Sequence, residues 1–364
     1  MKITIIAGAR PNFMKIAPII HAIQNAKDLG NNMDYRLVHT GQHYDDKMSG
    51  TFFEELNIPH PDANLECGGG SQAEQTASIL VAFEKDLISY PADLVLVVGD
   101  VTSTMACAIV AKKLNTKVAH VEAGIRSFDL TMPEEINRMV TDSITDYFFT
   151  TSENANQNLA KEGAKTEDVF FVGNVMIDTL LSNMSKFKKP ALFEEFGLKA
   201  KEYIVLTMHR PANVDEVGKL KEMMTEILSN VENMPVIFPI HPRTAKIIEE
   251  LQLKASNLII VDPLGYLEFN YLVQHSKAVV TDSGGITEET TIMGVPCLTL
   301  RDNTERPETI TIGTNELVGT DHRNIKPALQ KLFKGDWKKG SIPDLWDGHA
   351  AERIVDVIKN FYKA

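Results

Sequence analysis

Hydrophobic and polar positions follow a regular rhythm along the chain. Short runs of apolar and β-branched residues end in turn signals, and most are followed by a longer stretch with helical periodicity, such as Met14–Ala26. Continuous apolar runs separated by helices are typical of a parallel sheet that is covered on both faces. The runs that predict strands are Ile3–Ala7, Leu37–His39, Leu94–Val98, Val118–Val121, Tyr147–Phe149, Phe170–Val172, Tyr203–Thr207, Val236–Phe238, Leu258–Val261, Ala278–Thr281 and Cys297–Leu300.

The rhythm breaks once, between Asn183 and Lys201, where lysines and turn residues make the chain polar. It restarts afterwards, and two successive strand–helix series predict an α/β protein with two doubly wound parallel-sheet domains. We therefore expect an N-terminal Rossmann-like domain over 1–182, a connection over 183–201, a C-terminal Rossmann-like domain over 202–348, and a final helix within 349–364 that packs back toward the first domain.

Length, composition and charge narrow the class of protein. A chain of 364 residues exceeds the about 250–300 residues at which one core stops growing. The net charge of −12 argues against a diffuse basic face, so no nucleic-acid partner is expected. Three widely separated cysteines, Cys67, Cys107 and Cys297, lack zinc-ligand spacing and fit a reducing cytoplasm. The sequence shows neither a signal peptide nor a membrane-length apolar run, so we expect a cytoplasmic protein without a membrane partner.

One predicted strand, Ala278–Thr281, ends in the turn Asp282-Ser283-Gly284-Gly285, which precedes a helical stretch over Ile286–Met293. In open parallel sheets, ligands bind at the carboxyl ends of the strands. Glycines allow backbone N–H groups to approach an anion, and a helix N-terminus adds positive potential. The turn is therefore typical of a phosphate cradle, although a tight turn with Asp282 or Ser283 as the helix cap is the alternative.

The first turn of the chain, Gly8-Ala9-Arg10-Pro11, lacks the glycine spacing of a dinucleotide-binding fingerprint. Arg10 and Lys15 have the charge that a diphosphate requires. The alternative is a solvated pair of cations at a helix start, where the helix dipole makes them slightly unfavourable.

Carboxylates follow two of the buried strands. Asp100 and Glu122 each come directly after an apolar run, where a carboxylate must be paired or used. Glu134 and Glu135 follow Pro133 in the first turn of a predicted helix, where a favourable interaction with the helix dipole is the alternative explanation. Three of these carboxylates, Asp100, Glu122 and Glu134, would lie at one sheet edge, an arrangement that suits general acid–base catalysis. They could equally bind a metal, but Mg²⁺ sites usually recruit substrate phosphates too, and we predict neither a metal nor a cofactor.

Imidazole–guanidinium pairs follow two strands of the second series. His209-Arg210 comes after Tyr203–Thr207, and His241-Pro242-Arg243 comes after Val236–Phe238. Such pairing favours anion binding over a purely structural role. These observations support an enzyme that acts on a nucleotide-sugar, and they do not separate a glycosyltransferase from an isomerase.

Taken together, the strand-end motifs resemble those of the non-hydrolysing UDP-N-acetylglucosamine 2-epimerase family. The resemblance implies a GT-B-like fold, with two Rossmann-like domains around a deep interdomain cleft, and a homodimer. The matching segments are Gly8-Ala9-Arg10-Pro11 with Lys15, Thr40-Gly41-Gln42-His43, Gly99-Asp100, His120–Gly124 with Arg126, Met132–Arg138, Gly173-Asn174, His209-Arg210, Thr281–Gly285, Glu288-Glu289 and Arg301–Glu308.

The same resemblance implies a reaction and a set of roles. UDP-GlcNAc and UDP-ManNAc would interconvert by elimination of UDP to 2-acetamidoglucal and re-addition of UDP with the C2 proton on the other face. The residues expected to act in catalysis are Asp100, Glu122, Glu134, His209 and Lys15. The residues expected to bind the UDP-sugar are Arg10, Phe269, Ser283, Gly284, Gly285, Glu289 and Arg306, with Phe269 at the uracil and Glu289 at the ribose; the alternative for Phe269 is core packing.

Some bacterial members bind a second UDP-GlcNAc that regulates them. Residues that match parts of this regulatory site are Gln42, His43, Arg210 and His241. This chain has Ala212 where many members have a glutamate, and it lacks an arginine in the region of Cys67-Gly68-Gly69-Gly70. Both differences put regulation by substrate in doubt more than catalysis. A UDP-2,3-diacetamido-uronic acid as substrate, or a GT-B glycosyltransferase, are the remaining alternatives.

Overall fold

The computed structural model describes residues 1–42, 56–214, 216–240, 247–248, 253 and 255–361, and not the side chains of residues 10, 211 and 212. The chain divides into two compact units. The first unit contains Met1–Ser182 and Asp344–Ala364, and the second contains Asn183–Pro343. The segment 183–201, which the sequence suggested as a connection, is counted with the second unit, and residues 344–348 are counted with the first.

Each unit is built on one parallel sheet. The first sheet has the order β3-β2-β1-β4-β5-β6-β7 and the second has the order β10-β9-β8-β11-β12-β13. The strands are β1 Lys2–Ala7, β2 Asp34–His39, β3 Ala63–Asn64, β4 Leu94–Val98, β5 Lys117–Ala123, β6 Tyr147–Thr150, β7 Val169–Phe171, β8 Ile204–Thr207, β9 Val236–Pro239, β10 Leu258–Val261, β11 Ala278–Thr281, β12 Cys297–Thr299 and β13 Asn315–Leu317.

Helices follow most strands, as the rhythm of the sequence predicts. None of the helices within the described residues is long and apolar enough to cross a membrane. The helices are α1 Arg10–Asp28, α2 Gln72–Ser89, α3 Thr102–Lys113, α4 Pro133–Ile144, α5 Glu153–Lys161, α6 Val175–Asn183, α7 Leu192–Glu195, α8 Pro211–Val214, α9 Val217–Ser229, α10 Tyr266–His275, α11 Gly284–Met293, α12 Pro307–Thr311, α13 Ile325–Phe333 and α14 Ala350–Phe361, with short 3₁₀ turns at Thr166–Asp168, Met184–Lys186 and His322–Asn324.

The doubly wound α/β architecture expected from the sequence is confirmed in both units. Every run that predicted a strand forms one. The central strands are buried on both faces, as all five residues of β4 show, whereas the edge strands β7 and β10 are partly exposed. The sequence did not reveal β3 and β13. They contain two and three residues, which is too short for a hydrophobic period to show.

The strand order fixes where each unit can bind a ligand. It reverses direction between β1 and β4 in the first unit and between β8 and β11 in the second. Connections leave such neighbouring strands toward opposite faces of the sheet, which opens a crevice at their carboxyl ends. The turns that follow these four strands are therefore the first places to look for chemistry.

The last helix returns to the first unit. Trp346 is buried there and its indole N–H donates to the carbonyl of Thr151 at 3.0 Å. Asp178 in α6 accepts hydrogen bonds from the backbone N–H groups of Ala350 and Ala351, at 3.1 and 2.7 Å, at the N-terminus of α14. Burial nevertheless dominates at this carboxyl group and raises its pKa to about 6.

The raised pKa of Asp178 predicts a pH-dependent stability. The folded protein binds this proton more tightly than the unfolded chain, so its contribution is present below about pH 4 and is lost as the pH rises to about 6. Asp178→Asn cannot ionise. We expect the melting temperature of the native protein to fall relative to that of Asp178→Asn between pH 4.5 and pH 7. Thermal unfolding of both proteins at several pH values measures this difference, and a constant difference would contradict the assignment.

Candidate functional site

In the first unit, three of the predicted catalytic side chains come together at the carboxyl edge of the sheet. Asp100 follows β4, Glu122 lies in β5, and Lys15 is in α1. The ammonium group of Lys15 is 2.7 Å from Oε1 of Glu122, and both side chains are buried. A Cβ atom built on Gly99 would lie 2.7 Å from this ammonium group and 3.8 Å from Oε1 of Glu122. Glycine at position 99 therefore leaves room for the ion pair beside Asp100.

Glu122 has an unusual backbone conformation. Its φ angle is +75°, a left-handed value that is rare for a residue with a side chain. Gly124 follows with φ +77°, and the register between β5 and β6 shifts at this point. Non-glycine residues in this conformation cluster at functional sites, because surrounding contacts must hold them there. The sequence placed Glu122 after the strand, whereas the structure includes it within β5.

Asp100 is held by the helix α4. Its carboxylate oxygen Oδ2 is 2.5 Å from the guanidinium of Arg138, and its carbonyl accepts a hydrogen bond from the side-chain amide of Asn137 at 2.8 Å. The side chain of Asp100 remains a quarter exposed. A carboxyl group that is oriented from one side and open on the other can take part in proton transfer.

The two glutamates at the start of α4 have different environments. Glu134 is exposed. Glu135 is buried, pairs with Arg138 at 2.6 Å, and accepts hydrogen bonds from the backbone N–H groups of Ser127 and Phe128. Burial opposes ionisation of Glu135, but these contacts outweigh it and hold its pKa below the ordinary value. Glu135 therefore fixes the loop before α4, and Glu134 is the glutamate that is open to a ligand.

The turn between β1 and α1 is closed by Asn12. Its side-chain oxygen accepts from the N–H groups of Gly8 and Ala9, and its amide donates to the carbonyl of Val98 in β4 at 3.2 Å. Asn12 thus joins the two strand ends at the switch point. The backbone of Arg10 begins α1, and its side chain lies outside the described part of the chain.

Of the residues expected in a regulatory site, Gln42 and Arg210 are described. The side-chain oxygen of Gln42 accepts hydrogen bonds from the backbone N–H and the hydroxyl of Ser103, at 3.2 and 2.8 Å, at the N-terminus of α3. This contact holds Gln42 beside Gly8. A Cβ atom built on Gly8 would lie 3.1 Å from the same side-chain oxygen of Gln42. His43 and His241 lie outside the described residues.

In the second unit, Asp282 joins the ends of β8 and β11. It is fully buried and accepts hydrogen bonds from the backbone N–H groups of His209 and Arg210 and from the side-chain amide of Asn213. Burial opposes its ionisation, but His209 and these donors outweigh that effect and hold its pKa below the ordinary value.

The ring of His209 lies on the same carboxylate. Its Nδ1 is 2.9 Å from Oδ1 of Asp282, and 61% of the side chain is exposed. The carboxylate therefore holds a proton on Nδ1 and leaves Nε2 directed away from Asp282. An imidazole oriented in this way can bind an anion or transfer a proton.

The glycine turn forms the start of α11. The sequence placed Gly284 and Gly285 before this helix, whereas the structure places them in its first turn, after Ser283 at the N-cap position. The side chain of Ser283 makes no capping hydrogen bond within the described residues. A Cβ atom on Gly285 would meet nothing within 4 Å, and one on Gly284 would meet only Arg301 at an ordinary contact distance of 3.7 Å. The N–H of Ser283 donates to the hydroxyl of Thr281 at 3.0 Å, so the N–H groups of Gly284 and Gly285 are the ones in this turn that are suited to bind an anion.

Glu289 lies further along α11 and is buried. Burial raises its pKa to about 7, with Asn270 and Tyr266 as polar neighbours that favour the charged form. Both neighbours belong to α10, one turn apart, so α10 and α11 share a polar patch. Phe269, on the same helix, is partly buried and packs against the apolar core of the second unit.

Charged residues after β12 form a paired network. The guanidinium of Arg306 contacts the carboxylate of Glu288, and Arg301 pairs with Glu305 at 2.8 Å. Arg210 approaches the same Glu305 at 3.7 Å. Arg306, which was expected to bind substrate, is 7% exposed at its side chain and is held by Glu288.

The sequence interpretation missed the residues that support these groups. The side chains to which it gave no role are Asn12, Asn137, Asp142, Asn213 and the ring of His120. A signal was available in α4, where Glu135, Arg138 and Asp142 are spaced three and four apart and so share one helix face. Such a charged face is usually solvated, and here it is buried.

Comparison with known proteins gives a consistent result. Residues 25–359 match the family model described as UDP-N-acetylglucosamine 2-epimerase. The UDP-N-acetylglucosamine 2-epimerase of Methanocaldococcus jannaschii is 42% identical over 98% of this chain and 99% of its own. The UDP-2,3-diacetamido-2,3-dideoxy-D-glucuronate 2-epimerase of Pseudomonas aeruginosa is also 42% identical, over 98% of this chain and 99% of its own.

A solved structure extends the similarity to the fold. The crystal structure of the M. jannaschii UDP-GlcNAc 2-epimerase in complex with UDP-GlcNAc and UDP superposes with a TM-score of 0.88 at 41% identity, covering 99% of this chain and 100% of that one. The GT-B-like fold class expected from the sequence is thereby confirmed. The protein is an isomerase, and this chain belongs to the UDP-N-acetylglucosamine 2-epimerase family.

Proposed function

We propose that this enzyme interconverts UDP-GlcNAc and UDP-ManNAc by inverting C2. The observation that carries the proposal is the group formed by Asp100, Glu122 and Lys15 at the switch point of the first unit. It provides carboxylates beside a buried ammonium group, as acid–base chemistry requires. The relatives named as UDP-GlcNAc 2-epimerases over the whole chain length support the choice of substrate.

The chemistry of C2 explains why such groups are needed. The C2 proton is not acidic, because no carbonyl group is adjacent to it, so direct deprotonation to a stable carbanion is implausible. We propose that UDP leaves from C1 as the C2 proton is removed, giving 2-acetamidoglucal, and then adds back while a proton reaches the opposite face of C2. Asp100, Glu122 and Glu134 are the candidates for the two proton transfers.

The second unit has groups suited to the leaving UDP. We propose that the side chain of Ser283 and the N–H groups of Gly284 and Gly285 bind the diphosphate together with Arg10 and His209. The accessible turn at the start of α11 supports this role, because no described side chain occupies the space beside Gly285. Glu289 is proposed to bind the ribose hydroxyls, Phe269 to contact the uracil, and Arg306 to support binding of the UDP-sugar.

A related sugar is a second candidate substrate. The P. aeruginosa relative, named for a UDP-2,3-diacetamido-uronic acid, matches as well as the M. jannaschii enzyme, at 42% identity each. The same elimination and re-addition would apply, since the substituents differ at C3 and C6 and not at the reacting carbons. Relative rates on the two UDP-sugars distinguish these candidates.

Exchange at C2 tests the reaction itself. We expect incubation with UDP-GlcNAc in D₂O, without any acceptor, to give UDP-ManNAc and to place deuterium at C2 of the UDP-sugars, as followed by NMR. A lack of exchange with UDP-GlcNAc, but exchange with the diacetamido-uronic acid, would assign the second substrate. Free ManNAc with UDP as the main products would indicate hydrolysis instead, and transfer that depends on an acceptor would indicate a glycosyltransferase.

Asp100→Asn tests the role of the partly exposed carboxylate of Asp100. The amide keeps an oxygen for Arg138 but cannot accept a proton, so we expect C2 exchange to fall by about 10²–10⁴-fold. UDP binding, measured by calorimetry, should change little. Asp93→Asn is the matched control, because Asp93 accepts a hydrogen bond from the N–H of Lys2 at the opposite end of β4. Undiminished exchange in Asp100→Asn would remove this residue from the mechanism.

We also propose that the enzyme is a homodimer that works in a reducing cytoplasm. All three cysteines are free and buried, which fits such a compartment. Apolar side chains are exposed on α4 and the loop before it, including Ile136 and Phe128, which is 75% exposed. An adjacent groove of about 570 Å³ is lined by apolar side chains such as Leu80 and Met105. A surface of this kind is typical of an interface between subunits.

A charge on this surface should separate the subunits. We expect the native protein to sediment at twice its chain mass of 40.5 kDa. Ile136→Glu should shift it toward the single-chain mass, because a carboxylate would be buried without a partner. Leu29→Glu, an exposed leucine at the end of α1, is the control and should leave the mass unchanged. A native protein that sediments as one chain would contradict the dimer.

A further inference from the structure

His120 lies inside β5 and is fully buried, and both of its ring nitrogens have partners. Nδ1 is 2.6 Å from Oδ1 of Asp142, and Nε2 is 2.8 Å from the carbonyl oxygen of Gly99. A carbonyl oxygen can only accept a hydrogen bond, so Nε2 must donate to Gly99.

Asp142 is the ionised partner in this pair. Burial opposes its ionisation, but His120 and Arg126 outweigh burial and hold its pKa below the ordinary value. The ring of His120 is therefore held between two acceptors, the carboxylate of Asp142 at Nδ1 and the carbonyl of Gly99 at Nε2. The guanidinium of Arg126, 2.7 Å from the other carboxylate oxygen, reaches outward to Glu162 at the surface.

The carbonyl that His120 holds precedes the candidate catalytic residue Asp100. The N–H of Gly99 donates to the carbonyl of Val121 at 3.0 Å, so both backbone groups of Gly99 are bound to β5. Gly99 has a φ angle of +66°, which turns the chain toward Asp100. The direction in which Asp100 leaves the strand therefore depends on the contact with His120.

Asp142 holds the backbone at the end of β5, next to Glu122. Its Oδ2 accepts a hydrogen bond from the N–H of Gly124 at 3.0 Å, two residues after Glu122. Glu122 and Gly124 are both left-handed, and this bond is one of the contacts that keeps the turn in place. One buried pair, His120–Asp142, thus fixes the backbone beside the two candidate catalytic carboxylates, Asp100 and Glu122.

We propose that His120 is a positioning residue for the epimerisation, acting through its hydrogen bond to the Gly99 carbonyl and its pairing with Asp142. It orients Asp100 and Glu122 for proton transfer at C2 and does not itself touch the substrate. The inference rests on the proposed function. A displacement of about 1 Å at a reacting group lowers a rate by about 10²-fold, which sets the expected size of the effect.

Two amide substitutions separate the contacts of His120. The nitrogen of an asparagine falls near Nδ1 and can keep the bond to Asp142, whereas that of a glutamine falls near Nε2 and can keep the bond to Gly99. We expect His120→Asn to lower kcat for C2 exchange by about 10²-fold with KM little changed. His120→Gln should retain at least ten times the kcat of His120→Asn, as rescue by the variant that keeps the contact with Gly99.

Folding and local order are measured on the same proteins. Asp146→Asn is the matched control, because Asp146 accepts a hydrogen bond from the N–H of Val118 at the opposite end of β5. If activity in all three variants follows the melting temperature, or if the asparagine and glutamine variants lose kcat equally, His120 is only structural and the proposal is wrong. A loss in KM rather than kcat would also overturn it.

Hydrogen–deuterium exchange of the backbone gives a test that does not need a substrate. His120→Asn should increase exchange in peptides that cover 99–104, whereas His120→Gln and Asp146→Asn should not. If the native protein shows no C2 exchange with either UDP-sugar, the proposed function fails, and this measurement still decides whether His120 orders the segment. Equal protection in the native protein and His120→Asn would refute the positioning role.

Discussion

Ionised side chains buried at the carboxyl edge of the first sheet constrain everything around them. A charge without a partner at such a place would cost several kcal/mol, so each one must be matched and hydrogen-bonded. Helix α4 provides much of the match: Arg138 lies between Asp100 and Glu135, and Asp142 lies between His120 and Arg126. Because these partners come from two strands, a loop and a helix, the arrangement fixes the relative positions of all four. The rigidity of this candidate site follows from the need to neutralise buried charge.

In the second unit, a single buried carboxylate connects the strand ends at the switch point. Asp282 collects donors from the turn after β8 and holds the ring of His209, so the two strands at the switch point share a single buried acceptor. The first unit uses the side-chain amide of Asn12 for the link between β1 and β4. In both units the residues that join the strand ends are buried and polar, whereas the candidate site residues Asp100 and His209 are partly exposed.

The sequence was sufficient for the architecture and for the location of the candidate site. Apolar runs such as Leu94–Val98 identify strands that are buried on both faces, and the parallel arrangement then brings the residues after them to one edge. It was not sufficient for the contacts that orient those residues. Periodicity cannot tell a buried charged face from a solvated one, so the inward face of α4 was overlooked. The left-handed backbone of Glu122 depends on long-range hydrogen bonds, such as the one from Gly124 to Asp142. Local sequence propensity cannot predict such bonds.

The return of α14 to the first unit has a consequence for biosynthesis. Its buried residues Ile354, Val355 and Ile358 follow the second unit in the sequence, and the surface that they cover includes α1, which precedes that unit. During translation the first sheet can form early, while the apolar side of α1 has to wait for the whole second unit to be made. An incomplete first unit would expose that surface on the ribosome, where chains are prone to aggregate or to recruit chaperones. Completion of the first unit therefore has to follow synthesis of the second unit.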